Sequence, residues 1–162
     1  MNIGVLGGTF DPPHYAHLRI AERSIDQFSL DKVIFIPSGN PWQKKDTTSY
    51  RHRYEMTKIL IGDSNDLEIS DIENSEEKPS YTYETLKKLN HPKEELYFIL
   101  GSDAAINIKT WKNYELLPKL TNFLIALRSE DNIDILKNNF PFNYEIISGD
   151  KLDLSSTILR NK

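Results

Sequence analysis

Two histidines near the start of the chain, His14 and His17, lie three residues apart, a spacing that puts both on one face of a helix. An apolar run over residues 3–6 predicts a buried strand, and the pair Gly7-Gly8 follows it. Glycines serve where a side chain would block close approach to the backbone, or where a positive φ is needed. Two prolines just before His14 signal a helix start. Because backbone N–H groups and a positive helix end attract anions, the arrangement predicts a phosphate cradle.

Three chemical roles are open to this histidine pair: metal binding, general base catalysis, or hydrogen-bond donation to a phosphate. A metal site is disfavoured because no third ligand of the right type accompanies the pair, and His52 and His91 belong to other predicted elements. Histidines at a helix start are often only a cap or a surface feature. The glycine pair immediately upstream favours phosphate contact, and we therefore predict no metal site in the protein.

The composition predicts one compact domain over residues 1–162, since 38% of the residues are hydrophobic and 10% are aromatic. The net charge of −4 argues against a nucleic-acid partner, so an anionic ligand must be held by a local basic cluster. The chain has no cysteine, and hence no disulfide or thiolate metal site. No apolar run approaches the length of a membrane span or a signal-peptide core. We therefore expect a cytoplasmic protein without a membrane partner.

Apolar runs and helical periodicities alternate along the chain. The runs predict strands at residues 3–6, 33–36, 67–69, 96–100, 123–127 and 144–147. Helices are predicted from His14 onward, over 49–61 and 81–89, around 114–120 and over 133–140. In the helix over 49–61, Met56, Ile59 and Leu60 are expected to face the core. The alternation predicts an α/β, Rossmann-like doubly wound fold, with a mostly parallel sheet of five to six strands and helices on both faces.

The residues that suggest chemistry follow the predicted strands. Gly7-Gly8 comes after the strand at 3–6, and polar residues from Ser38 onward come after the strand at 33–36. Residues 101–103, Arg128 and residues 155–157 follow the strands nearer the end of the chain. In open parallel sheets, ligands bind beyond the carboxyl ends of the strands, at the point where the strand order reverses. We therefore predict an active site at this edge of the sheet.

Residues 7–17, GGTFDPPHYAH, resemble the signature of the HxGH nucleotidyltransferases, and specifically that of the bacterial nicotinate-nucleotide adenylyltransferases. The family pattern has glycine where this chain has Ala16. Residues 154–160 are similar to the ISSTxIR motif, which in this superfamily closes over the ATP phosphates. The resemblance extends over nearly the whole chain, from Ile3 to Arg160.

Further motifs of the same family lie between residues 7–17 and residues 154–160. Residues 40–45 resemble the loop that brings a basic residue to the phosphates, with Trp42-Gln43 where many members carry Pro-His. Residues 80–86 are similar to SYTxxTL, and residues 101–111 to GxD followed by TW. Relatives that adenylylate phosphopantetheine share the first signature but lack this second set. The resemblance therefore implies a pyridine nucleotide as substrate.

The resemblance also implies roles for individual residues. The implied catalytic residues are His14, His17, Lys44 and Arg160. The implied ATP-binding residues are Gly7, Gly8, Thr9, Phe10, His14, His17, Gly101, Asp103, Ser155, Ser156, Thr157 and Arg160. The implied residues for the second substrate are Thr82, Tyr83, Asp103, Trp111 and Lys112. In this pattern Asp103 binds ribose hydroxyls, Trp111 stacks on the pyridine ring, and the start of the helix at Thr82 receives the nicotinate carboxylate.

The activity that the resemblance implies is transfer of AMP from ATP to nicotinate mononucleotide in NAD biosynthesis, with Mg²⁺ carried by the ATP phosphates. Two alternatives stay open: an adenylyltransferase for nicotinamide mononucleotide or phosphopantetheine, and a non-catalytic nucleotide-binding module, as Ala16 and Gln43 would suggest. A dinucleotide-dependent dehydrogenase is disfavoured, because the glycine spacing around Gly7-Gly8 is wrong for it. The family usually continues into further C-terminal helices after the last motif. We therefore expect a minimal form, or a homo-oligomer in which neighbouring subunits replace that tail.

Overall fold

The computed structural model describes residues 1–39, 48–74, 81–127 and 133–148, and these form alternating strands and helices. The strands are β1 (Ile3–Gly8), β2 (Lys32–Pro37), β3 (Leu67–Ile69), β4 (Leu96–Gly101), β5 (Asn122–Ala126) and β6 (Glu145–Ile146). The α-helices are α1 (Tyr15–Phe28), α2 (Tyr50–Ile61), α3 (Thr82–Leu89), α4 (Ser102–Ile106) and α5 (Ile133–Asn139). Short 3₁₀ helices cover Lys93–Glu95, Ile108–Thr110 and Tyr114–Lys119. None of the helices in these ranges is long and apolar enough to cross a membrane.

The six strands form one sheet in the order β3-β2-β1-β4-β5-β6, and every neighbouring pair is parallel. The order runs outward from β1 in one direction and then restarts at β4 in the other, so the switch point lies between β1 and β4. The β1–β4 register runs from Ile3 beside Leu96 to Leu6 beside Ile99. On its other side β1 stays paired with β2 as far as Gly8. The two central strands therefore part beyond Leu6, where a ligand crevice is expected.

Helices cover both faces of the sheet. On one face, Ile20 and Ala21 of α1 and Ile61 of α2 pack against residues of the strands in one apolar cluster. On the other face, Leu86 of α3 and Leu136 of α5 belong to a second cluster. The strands are buried on both sides, which explains why they read as continuous apolar runs in the sequence. The predicted α/β, Rossmann-like doubly wound fold is confirmed.

The predicted inward face of α2 is wrong at Ile59, whereas Met56 and Leu60 are half-buried at its margin. Ile59 is 78% exposed, and the buried residues of this helix are instead Tyr50, Arg53, Thr57 and Ile61. These four follow one another at intervals of three, four and four residues, which is the spacing of a single helix face. Hydropathy assigned the face wrongly because an arginine and a threonine occupy two of its four places.

Candidate active site

The segment between β1 and α1 differs from the predicted glycine turn. Gly7 and Gly8 still belong to β1, and the positive φ falls on Phe10, at 52°. A Cβ added to Gly8 would lie 3.3 Å from the Phe10 ring, so a side chain there would require this ring to shift by a few tenths of an ångström. The Phe10 ring is buried, with its centroid 5.8 Å from that of Phe35. Burial of a phenylalanine stabilises by about 2 kcal/mol, which offsets the cost of the left-handed backbone.

His14 and His17 lie together at the start of α1, as their spacing predicted. His14 is the N-cap residue and is 5% exposed, and the two ring centroids are 4.2 Å apart. The backbone N–H of His14 donates to Nδ1 of His17 over 3.1 Å. Because Nδ1 accepts this bond, the neutral ring carries its proton on Nε2, which is then a hydrogen-bond donor. The Phe10 ring meets the His17 ring edge-on at 5.0 Å and fixes its plane.

Across the switch point, α4 begins directly after β4. Gly101 is its N-cap residue, Ser102 is buried, and Asp103 is exposed in the first turn. A carboxylate in this position interacts favourably with the backbone N–H groups of the helix start. The structure thus places Gly101 and Asp103 at the end of the strand that borders the crevice.

Of the residues predicted for the second substrate, Thr82, Tyr83 and Lys112 lie at or beside the start of α3. Thr82 and Tyr83 are half-buried in its first turn. The Lys112 ammonium lies 4.7 Å from the centroid of the Tyr81 ring and 3.5 Å from Oε1 of Glu84. These contacts join the segment that carries Trp111 to the start of α3.

The Trp111 indole is half-buried, and it meets the Phe98 ring of β4 edge-on, with centroids 6.1 Å apart. Packing of this kind holds a large aromatic side chain in one orientation. An indole held in this way can present its face to a flat ring. The role of Trp111 in stacking stays a prediction.

Five of the predicted site residues lie outside the described part of the chain: Lys44, Ser155, Ser156, Thr157 and Arg160. The same holds for Trp42 and Gln43, where the sequence departs from the family pattern. Ala16, the other departure, is the half-buried second residue of α1. Among the described residues, no group of three or more His, Asp or Glu side chains is placed to hold a metal ion.

The sequence left open whether Arg51 and Arg53 on α2 contact the phosphates, because an arginine on an amphipathic helix is usually a solvated residue. The structure gives Arg53 a different place, which the sequence analysis missed. Arg53 is 1% exposed, and its guanidinium donates hydrogen bonds to backbone carbonyls that flank β1, β2 and α2. The spacing of Tyr50, Arg53, Thr57 and Ile61 is the signal that could have revealed it.

Comparison with known proteins adds independent evidence. The cytidylyltransferase-like family model matches residues 5–162. A probable nicotinate-nucleotide adenylyltransferase of Desulfitobacterium hafniense (strain Y51) is 41% identical, over 99% of this chain and 83% of that protein. A protein of the same name from Clostridium novyi (strain NT) is 42% identical, over 98% of this chain and 85% of that protein.

Solved structures point the same way. The Plasmodium falciparum nicotinic acid mononucleotide adenylyltransferase complexed with NaAD is 30% identical and superposes with a TM-score of 0.79. The match covers 99% of this chain and 82% of that chain. The complex of the Plasmodium falciparum enzyme with APC gives 28% identity and a TM-score of 0.75. The chain therefore belongs to the cytidylyltransferase-like family and, within it, to the nicotinate-nucleotide adenylyltransferases, which are nucleotidyltransferases.

Proposed function

We propose that this protein transfers AMP from ATP to nicotinate mononucleotide, giving nicotinate adenine dinucleotide and pyrophosphate. One observation carries the proposal beyond the family relationship. The histidine pair of α1 and the Trp111 segment with the start of α3 lie on opposite sides of the β1–β4 switch point. Each side offers chemistry suited to one of the two substrates, and the crevice between them is where the reacting groups meet.

On the β1 side, the geometry suits the phosphates of ATP. Gly7 is exposed at the end of β1, beyond the point where the strand leaves β4, so a phosphate can approach its backbone. The N-terminus of the 14-residue helix α1 provides N–H groups and a partial positive charge. His17 adds the Nε2–H donor that its Nδ1 bond defines. These donors neutralise the charge that develops on the leaving pyrophosphate.

On the β4 side, the geometry suits nicotinate mononucleotide. Trp111 offers an indole to the electron-poor pyridinium ring, an interaction worth about 1–2 kcal/mol when desolvated. The first N–H groups of α3 favour a carboxylate at Thr82 and Tyr83 over a neutral amide, and the Lys112 ammonium offsets the charge of Glu84 in the same turn. Asp103 accepts hydrogen bonds from ribose hydroxyls.

The reaction needs little acid or base chemistry from the protein. A phosphate monoester has a second pKa of about 6, so at neutral pH the attacking oxygen of the mononucleotide is already ionised. It forms a bond to the α-phosphorus of ATP, and the bond from that phosphorus to the bridging oxygen of pyrophosphate breaks. Catalysis then consists of bringing two anions together and stabilising the leaving group. Mg²⁺ enters with ATP as part of the substrate and needs few protein ligands.

The test is pyrophosphate release measured with MgATP and, in parallel, nicotinate mononucleotide, nicotinamide mononucleotide or phosphopantetheine. We expect nicotinate mononucleotide to have the highest kcat/KM. A preference for either of the other acceptors would assign the chain a different adenylyltransferase activity. Binding of ATP without pyrophosphate release for any acceptor would instead support the non-catalytic nucleotide-binding module.

A further inference from the structure

The Arg53 side chain on α2 is buried and donates to four backbone carbonyls. Its Nε donates to the carbonyl of Thr48 over 2.7 Å. Its Nη1 donates to the carbonyls of Thr9 and Ser38, over 3.0 Å and 2.5 Å, and Nη2 donates to that of Gly39 over 3.2 Å. A buried charge is costly unless its hydrogen-bonding groups are satisfied, and four carbonyl dipoles meet that need here.

The four carbonyls belong to three separate segments at the carboxyl edge of the sheet. Thr9 follows β1 and directly precedes Phe10, the residue with the positive φ. Ser38 and Gly39 follow β2, and Thr48 precedes α2. The planar fork of the guanidinium donates in several directions at once, which the single ammonium of a lysine does not reproduce. Arg53 therefore fixes these three segments relative to one another.

Asp11 reinforces the same arrangement from the β1–α1 segment. Its Oδ2 accepts a hydrogen bond from the backbone N–H of Thr48 over 2.8 Å. Thr48 is thus held at its N–H by Asp11 and at its carbonyl by Arg53. Because Asp11 lies three residues before His14, the bond ties the histidine-bearing segment to the start of α2.

We propose that Arg53 and Asp11 are positioning residues that set the geometry of the ATP-phosphate half of the active site. They act by holding the Thr9–His14 stretch of backbone, and with it His14 and His17, against the segments that flank β2 and α2. The proposal rests on the proposed function, since it takes this half of the crevice as the ATP site. Precise placement of donors matters for rate, because small displacements weaken transition-state contacts more than ground-state binding.

A purely structural role for Arg53 makes a different prediction. In that case its loss lowers stability but leaves the kinetics of each folded molecule unchanged. A positioning role lowers kcat and changes the KM of one substrate only. Within the described part of the chain, the carbonyls of Thr9, Ser38, Gly39 and Thr48 that accept from Arg53 flank β1, β2 and α2, whereas the proposed pyridine side is built from α3 and Trp111. Loss of the positioning contacts should therefore lower kcat and raise KM for ATP, while KM for nicotinate mononucleotide stays constant.

The experiment compares Arg53→Lys and Asp11→Ala with Ile61→Ala, a control on the same helix. Ile61 is buried in the last turn of α2, two turns away from Arg53, and contributes packing alone. Urea unfolding measures the stability of each variant. Pyrophosphate release per folded molecule measures its kinetic constants. We expect Arg53→Lys to lower kcat by at least about tenfold, with a higher KM for ATP and an unchanged KM for nicotinate mononucleotide. Ile61→Ala should lose stability and keep wild-type kinetic constants.

Asp11→Ala keeps the buried arginine and so keeps the proposal testable if Arg53→Lys does not fold. It should change kcat and KM for ATP by a smaller factor than Arg53→Lys does. In the double variant the two effects should not add, because both residues act on Thr48. Wild-type constants in Asp11→Ala or in folded Arg53→Lys would overturn the proposal. Equal changes in the KM values of both substrates would do the same. Failure of the wild-type protein to use nicotinate mononucleotide would instead refute the proposed function.

Discussion

The backbone N–H of His14 donates to the Nδ1 atom of His17, so the second histidine caps the helix whose first turn it occupies. The imidazole of His17 thus has two roles. Its Nδ1 accepts the bond that caps the helix, and its Nε2 carries the proton that is proposed to contact the phosphates. The structural use and the proposed catalytic use fall on different atoms of the ring. Substitutions that preserve one and remove the other can therefore separate them.

His17→Gln and His17→Ala provide that separation. A glutamine at the third helical position can accept the same backbone N–H, as in a capping box, so His17→Gln should keep wild-type stability. His17→Ala should lose about 1 kcal/mol of unfolding free energy. His17→Ala loses every side-chain donor and should show kcat lowered by about 10²–10³-fold. His17→Gln keeps an amide N–H donor at a different position from the imidazole Nε2, and it should show a smaller loss. Urea unfolding and pyrophosphate release measure the two effects, and near-normal turnover in His17→Ala would remove His17 from the catalytic residues.

Gly7→Ala and Gly8→Ala form a second matched pair. A Cβ at Gly7 would find no atom closer than 3.8 Å, whereas a Cβ at Gly8 would meet the Phe10 ring at 3.3 Å. We expect Gly7→Ala to keep its stability but to raise KM for ATP, because the methyl group intrudes where the phosphates approach the backbone. Gly8→Ala should be destabilised by about 1–3 kcal/mol through overpacking. An unchanged KM for ATP in Gly7→Ala would show that ATP does not approach this edge of β1.

Lys112→Gln tests the preference for the acid over the amide. Lys112 lies beside Tyr81 and Glu84 at the start of α3, where the nicotinate carboxylate is proposed to bind. Without this charge, kcat/KM for nicotinate mononucleotide should fall by about fivefold to tenfold, and that for nicotinamide mononucleotide should change little. Lys88→Gln is the control, since it removes the same charge from the exposed last turn of α3. Equal effects of the two substitutions would indicate a general electrostatic influence rather than a local contact.

The buried hydroxyl of Tyr50 should make the stability of the protein depend on pH in the alkaline range. Its hydroxyl is buried and has no hydrogen-bond partner among the residues that the structure describes. Burial, followed by the negative charge of Asp71, raises the pKa of Tyr50 to about 12 from an ordinary 10.0. The folded state therefore holds the phenol proton more tightly than the unfolded state does. The resulting stability is present below pH 10.0 and is lost as the pH rises towards about 12.

The corresponding variant is Tyr50→Phe, which removes both the titration and the unpartnered hydroxyl. At neutral pH it should be as stable as the wild type or more stable, by up to about 1 kcal/mol. Urea unfolding above pH 10.0 should show a shallower loss of stability than in the wild type. Tyr15→Phe, at an exposed phenol, serves as the control. Identical alkaline profiles for Tyr50→Phe and the wild type would contradict the prediction.

The strand and helix order was predictable from the sequence, because strands buried on both faces are continuous apolar runs. The pairing of His14 with His17 was predictable as well, since it depends only on helix geometry. The hydrogen-bond partners of Arg53 were not, because the carbonyls of Thr9, Ser38 and Gly39 belong to other segments of the chain. The positive φ at Phe10 was equally hidden, since glycine is the usual residue for that conformation and Gly8 lies only two positions earlier. Local patterns thus predicted the elements, whereas contacts between segments decided the details of the site.

The strand order divides the sheet into two halves that are each continuous in sequence, β1–β3 and β4–β6, and the halves meet at a single ladder from Ile3 and Leu96 to Leu6 and Ile99. The histidines belong to the first half and Trp111 to the second. Both apolar clusters contain side chains from the two halves, so the halves pack as one body across this ladder. The distance between a bound donor and a bound acceptor is consequently set by the core at the middle of the sheet.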